Sequence, residues 1–195
     1  MILLVMLVGT YKVALARENL EAPVDASCER QMVVTMVKSI ARGLAEILRF
    51  MPEEKERIQT IRRFIAPIRF YADESGYFYV YDLECVNIAH ATQPDLQGKN
   101  LYDYQDGQGK YVIRKLAKKA KTGGGFVEFC WENPNTKEEE RKIGYVEMIP
   151  GTNYFIGSGL YPGRHSALFP VQGCTCKETQ QLIQFVDAAT QACLS

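Results

Sequence analysis

Between Gly76 and Tyr161 the chain alternates short runs of aromatic and β-branched residues with clusters of Gly, Pro, Asn and Asp. Residues of the first kind fit a pleated, half-buried surface and the clusters are turn formers, so this stretch reads as a sheet. In GYFYVYD (Gly76 to Asp82) a period of two sets Tyr77, Tyr79 and Tyr81 on one face and Phe78 with Val80 on the other. Asp82-Leu83-Glu84 turns the chain into a partner strand, Cys85 to His90, which completes a hairpin. Phe126 to Trp131, Ile143 to Ile149 and Tyr154 to Ser158 supply three further strands. The second and third strands are separated by an irregular segment, Gln93 to Asp106, and a short helix, Tyr111 to Lys121. Val112, Leu116 and Ala120 form the inner row of that helix. A long irregular segment beside a sheet is more often a functional cover than a defect. Gly123-Gly124-Gly125 follows the helix and has no Lys-Ser/Thr partner, so it is a helix stop and not a phosphate loop.

Two helices precede the sheet. Cys28 to Met51 carries Val33, Val37, Ile40, Leu44, Ile47 and Met51 at steps of four and three, which places them on one stripe. That spacing suits packing along the sheet, or a homodimer contact with a second copy through the 28–51 helix. Pro52 followed by Glu53-Glu54 opens a second helix, which turns Ile58, Ile61 and Ile65 inward and ends near Pro67. The expected class is α+β: long N-terminal helices followed by a five-stranded antiparallel sheet with one inserted helix.

The rest of the chain sets bounds. Residues 1–16 are nearly all apolar and end in Ala14-Leu15-Ala16, which reads as a signal peptide cleaved after Ala16 or as a truncated anchor. Residues 17–27 are a polar linker, 28–163 the domain, and 164–195 a cysteine-bearing tail with a terminal helix. The expected location is periplasmic or secreted, with N-terminal anchoring as the alternative to cleavage. Six cysteines suit that oxidising compartment and match no zinc spacing, so neither a metal nor a cofactor is expected. Cys174 and Cys176 lie too close in sequence for an easy mutual disulfide, which points one of them to Cys193 or Cys28. Basic and acidic residues balance at 23 each with no basic stripe, which excludes nucleic acid as a partner. There is no Gly-x-Ser-x-Gly; the one enzymatic option is a Cys–His pair of His90 with Cys85 or Cys130, and a non-catalytic domain is expected.

In order and spacing, the leading helix, GYFYVYD, the His-bearing second strand, PDLQGKNLYD, GGGFVEFCW, KIGYV and FIGSGLY resemble the single Cache sensor domain over roughly Met51 to Gly163. The resemblance implies a PAS-like extracytoplasmic fold that binds small molecules, often short organic acids or amino acids, between the sheet and its covering loops. Members are mostly the sensory part of chemoreceptors or sensor histidine kinases. Because Pro162 to Ser195 carries neither a second membrane span nor a signalling module, a free-standing binding domain for a small carboxylate or amino acid is expected. The alternative is an interaction module that passes a ligand signal to a membrane receptor, histidine kinase or transporter. The chain also departs from the family at Ala91, where Pro commonly follows the His.

His90 falls where the family's second-strand His contacts ligand, and an imidazole at a strand end suits a carboxylate; its competing role is to anchor the following loop. Lys142 and Tyr145 occupy the family's K-x-x-Y positions and offer a cation and a hydroxyl. Against that, Lys142 ends a charged loop, Lys137 to Lys142, which by itself points to solvent. Trp131 and Phe129 share a strand face and either wall a pocket or form plain core, and Tyr79 is the chosen pocket member of its ladder. Arg69 and Tyr71 are candidates for the pocket mouth as anion ligands.

Overall fold

The computed structural model describes residues 26–162. The expected export signal, most of the linker, the three tail cysteines and the terminal helix lie outside the described residues. Helix α1 (Ala26–Leu48) and helix α2 (Glu54–Ile65) come first. Strands β1 (Tyr79–Asp82) and β2 (Asn87–His90), helix α3 (Val112–Lys121) and strands β3 (Gly125–Glu132), β4 (Glu139–Met148) and β5 (Tyr154–Leu160) follow. The five strands form one sheet in the order β2-β1-β5-β4-β3, antiparallel throughout. Class, strand number and the position of the inserted helix therefore agree with the sequence reading.

Each face of the sheet carries its own core. Phe78, Val80, Ile88, Ile143, Tyr145, Ile156 and Leu160 point to α1 and α2, which bury Val33, Val37, Leu44, Ile61 and Ile65 against them. The arc that α1 buries also includes Ala41 and Leu48, whereas the expected Ile40 and Ile47 lie on its margin and Ile47 is 37 % exposed. On a 3.6-residue period Ala41 and Leu48 flank Val37 and Leu44 on one side, Ile40 and Ile47 on the other; the sheet covers the first flank. The main stripe of α1 is thus used within the chain.

On the other face Tyr77, Tyr79, Tyr81, Phe129, Trp131, Val146 and Phe155 pack beneath Val112, Ile113, Leu116 and Ala120 of α3. Several strand boundaries differ from expectation, and β1 and β2 begin later than read, at Tyr79 and Asn87 in place of Tyr77 and Cys85. Strand β5 runs on to Leu160, and β4 begins at Glu139, because Glu139 pairs with Glu132 and so extends the β3–β4 ladder outward. The charged segment Glu139 to Lys142 is therefore strand and not loop.

The cover over this second face is pinned by Asp106, which is 5 % exposed. Its Oδ1 accepts the N–H groups of Gln108 and Lys110 at 3.1 and 2.8 Å, and its Oδ2 accepts that of Cys130, on β3, at 2.9 Å. Burial opposes the charge, but those backbone donors and the Lys110 ammonium outweigh it and hold the carboxyl below its ordinary value. Asp106→Ala is expected to destabilise the domain by about 2–3 kcal/mol, since bonds to a charged acceptor are lost and the Cys130 N–H is left without its partner. Urea unfolding reads this directly; a midpoint equal to wild type would show that the bonds are dispensable.

Candidate functional site

The site is built from four strands, β1 to β4, and α3. On β4 the period of two sends Ile143 and Tyr145 to the helix side and Lys142, Gly144 and Val146 to the other. Lys142, opposite Phe129 in the ladder, is 1 % exposed. Its Nζ lies 3.7 Å from the ring centroid of Tyr77, 4.9 Å from that of Tyr161 and 5.6 Å from that of Tyr79, an aromatic cage for the ammonium. Burial drives its pKa well below the ordinary lysine value. The expectation of a solvated Lys142 is therefore corrected: the longer β4 carries it into the interior.

His90 ends β2, directly opposite Tyr79 on β1. Its Nδ1 accepts the Gln93 backbone N–H at 3.1 Å, which leaves the ring proton on Nε2. Burial first, then the charges of Lys142 and Arg69, pushes its pKa well below the ordinary histidine value, so the ring is a neutral N–H donor. The ring stacks between Tyr79 and Trp131 at centroid distances of 6.1 and 5.9 Å. One nitrogen thus anchors the loop, and the imidazole lines the cavity.

Tyr79 fits because glycines lie beneath it. A Cβ on Gly157 would stand 2.5 Å from its ring, and one on Gly144 would stand 3.0 Å from its hydroxyl and 2.8 Å from the Phe129 ring. The Tyr79 hydroxyl is buried with no hydrogen-bond partner, an arrangement that favours a polar ligand atom. Phe129 and Trp131 meet edge to face at 6.3 Å, and the Trp131 Nε1–H donates to Gln93 Oε1 at 3.0 Å.

These side chains enclose a cavity of about 10 Å³, lined also by Tyr77, Tyr81, Ile113 and Leu116. That volume is on the order of one water. Lys142 is its one charged side chain, and no acidic residue lines it. Of the candidates, the structure brings together His90, Lys142, Tyr79, Trp131 and Phe129.

Three candidates lie elsewhere. Tyr145 is three residues from Lys142, an odd step on a strand, so it faces the helices, packs on Phe126 and donates its hydroxyl to Glu147 Oε2 at 2.7 Å. Tyr71, at φ 69°, turns into the helix-side core beside Phe70. Arg69 donates to the carbonyls of Ala66, Ile68 and Ala91 at 3.0, 2.7 and 2.6 Å, which ties the end of α2 to the segment after β2. The sequence reading missed Tyr161, Ile113, Leu116 and Gln93. The inward row of α3 signalled Leu116, but nothing local marks Tyr161 or Gln93.

Among the described residues no group of three or more His, Cys, Asp or Glu is placed to hold a metal, and Cys85 and Cys130 carry free thiols. Nor, among them, is any helix long and apolar enough to cross a membrane.

A five-stranded antiparallel sheet with helices on one face and a small cation-bearing cavity under a loop-and-helix cover on the other defines a PAS-like α+β sensor fold. The chain belongs to the Cache family of sensor domains, whose family model, described as the Cache domain, matches residues 26–163. It is 35 % identical over 88 residues to the sensor histidine kinase MctS of Rhizobium johnstonii, a match that spans 45 % of this chain and 19 % of that protein. The periplasmic sensor domain of a chemotaxis protein superposes with a TM-score of 0.62 at 30 % identity, over 71 % of this chain and 99 % of that one. A Cache chemosensory domain solved for its recognition of carboxylic acid gives a TM-score of 0.60 at 26 % identity, over 70 % and 94 % of the two chains.

Proposed function

We propose that this sensor domain binds a short monocarboxylate and passes its occupancy to a membrane receptor or histidine kinase. The observation that carries the reading is Lys142: a buried amine in an aromatic cavity whose lining offers no counter-charge for its ammonium form. A carboxylate supplies that charge. The His90 Nε2–H and the Tyr79 hydroxyl are the donors for its oxygens, and Phe129, Ile113 and Leu116 receive the alkyl end once the cavity, closed here around the space of about one water, widens to admit it. One cation matches one carboxylate. A dicarboxylate would bury a second anion, and an amino acid an ammonium, each with no opposite charge to meet it. The related chemosensory domain that recognises carboxylic acid supports the same chemistry.

A thermal-shift series with acetate, propionate, succinate and alanine tests this, with His90→Ala in parallel. At 100 times its dissociation constant a ligand stabilises by about 2.7 kcal/mol, a midpoint shift of roughly 5–10 °C for a domain of this size. Acetate or propionate is expected to give that shift in wild type and a much smaller one in His90→Ala. Equal shifts with succinate or alanine, or none with either monocarboxylate, would overturn the reading. The domain's place is the periplasm or the extracellular side, as for the periplasmic sensor domain it resembles. Its recovery in the cytoplasmic fraction alone would rule that out.

A further inference from the structure

We infer that Gln93 is a positioning residue that holds Trp131 as the door between an outer cleft and the Lys142 cavity. Every residue lining that cavity is buried, Trp131 being the most exposed at 6 %. A molecule can therefore reach Lys142 only when a wall moves. Outside the cavity lies an open cleft of about 590 Å³, lined by Gln93, Leu96, Leu101 and Tyr104 among others. Trp131 is the one residue that lines both spaces.

What keeps the door in place is specific. The Trp131 Nε1–H donates to Gln93 Oε1 at 3.0 Å, and the Tyr104 ring meets the indole edge on at 5.2 Å from the cleft side. Gln93 comes from the cover segment, just before the single turn of 3₁₀ helix Pro94–Leu96. Its backbone N–H also holds His90 Nδ1, so one residue fixes both the door and the ring behind it. The outer cleft is thus the approach to the site, and swinging the indole into it opens the cavity. A neutral hydrogen bond of this kind shifts an opening equilibrium by about 2- to 10-fold.

The inference rests on the monocarboxylate reading, and two readouts separate their failures. Trp131 is the only tryptophan in the chain, so its fluorescence reports the door itself. In the ligand-free domain, acrylamide is expected to quench Trp131 more strongly in Gln93→Leu than in wild type. With sodium propionate in a stopped-flow experiment, Gln93→Leu is expected to raise the association and dissociation rates together, each by about 2- to 10-fold. The dissociation constant should change far less than either rate, because a door alters passage in both directions whereas a ligand contact acts mainly on dissociation. The backbone bond to His90 survives that substitution. Should Gln93→Leu fold poorly, Tyr104→Leu loosens the indole from the other side and carries the same expectation. Quenching equal to wild type in a folded variant would overturn the inference whether or not propionate binds. So would a change in the dissociation rate alone. Absence of propionate binding in wild type would instead overturn the ligand reading and leave the quenching result to decide the door.

Discussion

Lys142→Met is expected to give a domain that no longer binds monocarboxylate yet melts at a higher temperature than wild type. Lys142 is 1 % exposed and no acid lines its cavity. The rings of Tyr77, Tyr161 and Tyr79 return part of the lost hydration through their π faces, but burial still drives the pKa far down. Exchanging a buried ionic group for an apolar one of similar length is stabilising by about 1–4 kcal/mol, here a midpoint rise of roughly 3–10 °C. Loss of the charged partner should weaken propionate binding by at least about 30-fold. The pH dependence follows from the direction of the shift. Below the ordinary lysine value of 10.5 the unfolded chain holds the Lys142 proton more tightly than the folded one, so wild-type stability at this site rises with pH towards that value. The thioether of the variant has nothing to titrate there. The gap between variant and wild type should therefore narrow as pH rises from neutrality towards 10.5, which calorimetry of the two proteins side by side measures. A variant less stable than wild type at pH 7 would mean that the cage compensates the charge fully.

Gly157→Ala is expected to lower stability by about 2–3 kcal/mol and to remove ligand binding with it. Strand β5 is paired on both edges, with β1 and β4, so its backbone has little freedom to retreat. The added Cβ would stand 2.5 Å from Tyr79 Cε2 and 2.6 Å from its Cζ and hydroxyl oxygen. The ring cannot yield cheaply either, since it is 3 % exposed and packed between Tyr81 and His90. It can move only into the cavity, which has room for about one water. Gly43→Ala is the matched control: it lies within α1, its Cβ would meet nothing within 4 Å, and alanine there favours the helix by about 0.5–1 kcal/mol. Urea unfolding of both variants checks the contrast, and a Gly157→Ala midpoint at the wild-type value would show that Tyr79 is not held as described.

The candidate site was legible wherever one strand carried the argument. Tyr77, Tyr79 and Tyr81 share a face by period alone, as do Phe129 and Trp131, and all five line the cavity. His90 was legible as the end of a strand beside a cover loop. Lys142 and Tyr145 show where local reasoning stops. The motif pairs them, but three residues along a strand is half a period out, so one of the two must face the helices.

Class, strand count and the two faces of the sheet are legible in the chain, because periodicity and turn chemistry are properties of neighbours along it. Which face holds the cavity, and which residues line it, follows from contacts between distant elements. Pairing of Glu139 with Glu132 lengthened β4 and so buried Lys142, and the Tyr79 ring lies across Gly157 of β5 and reaches Gly144 of β4. Arg69 went to backbone carbonyls and not to the cavity, while Gln93 met Trp131 from 38 residues away. Such contacts depend on distances between elements far apart in sequence, and no local pattern encodes those distances.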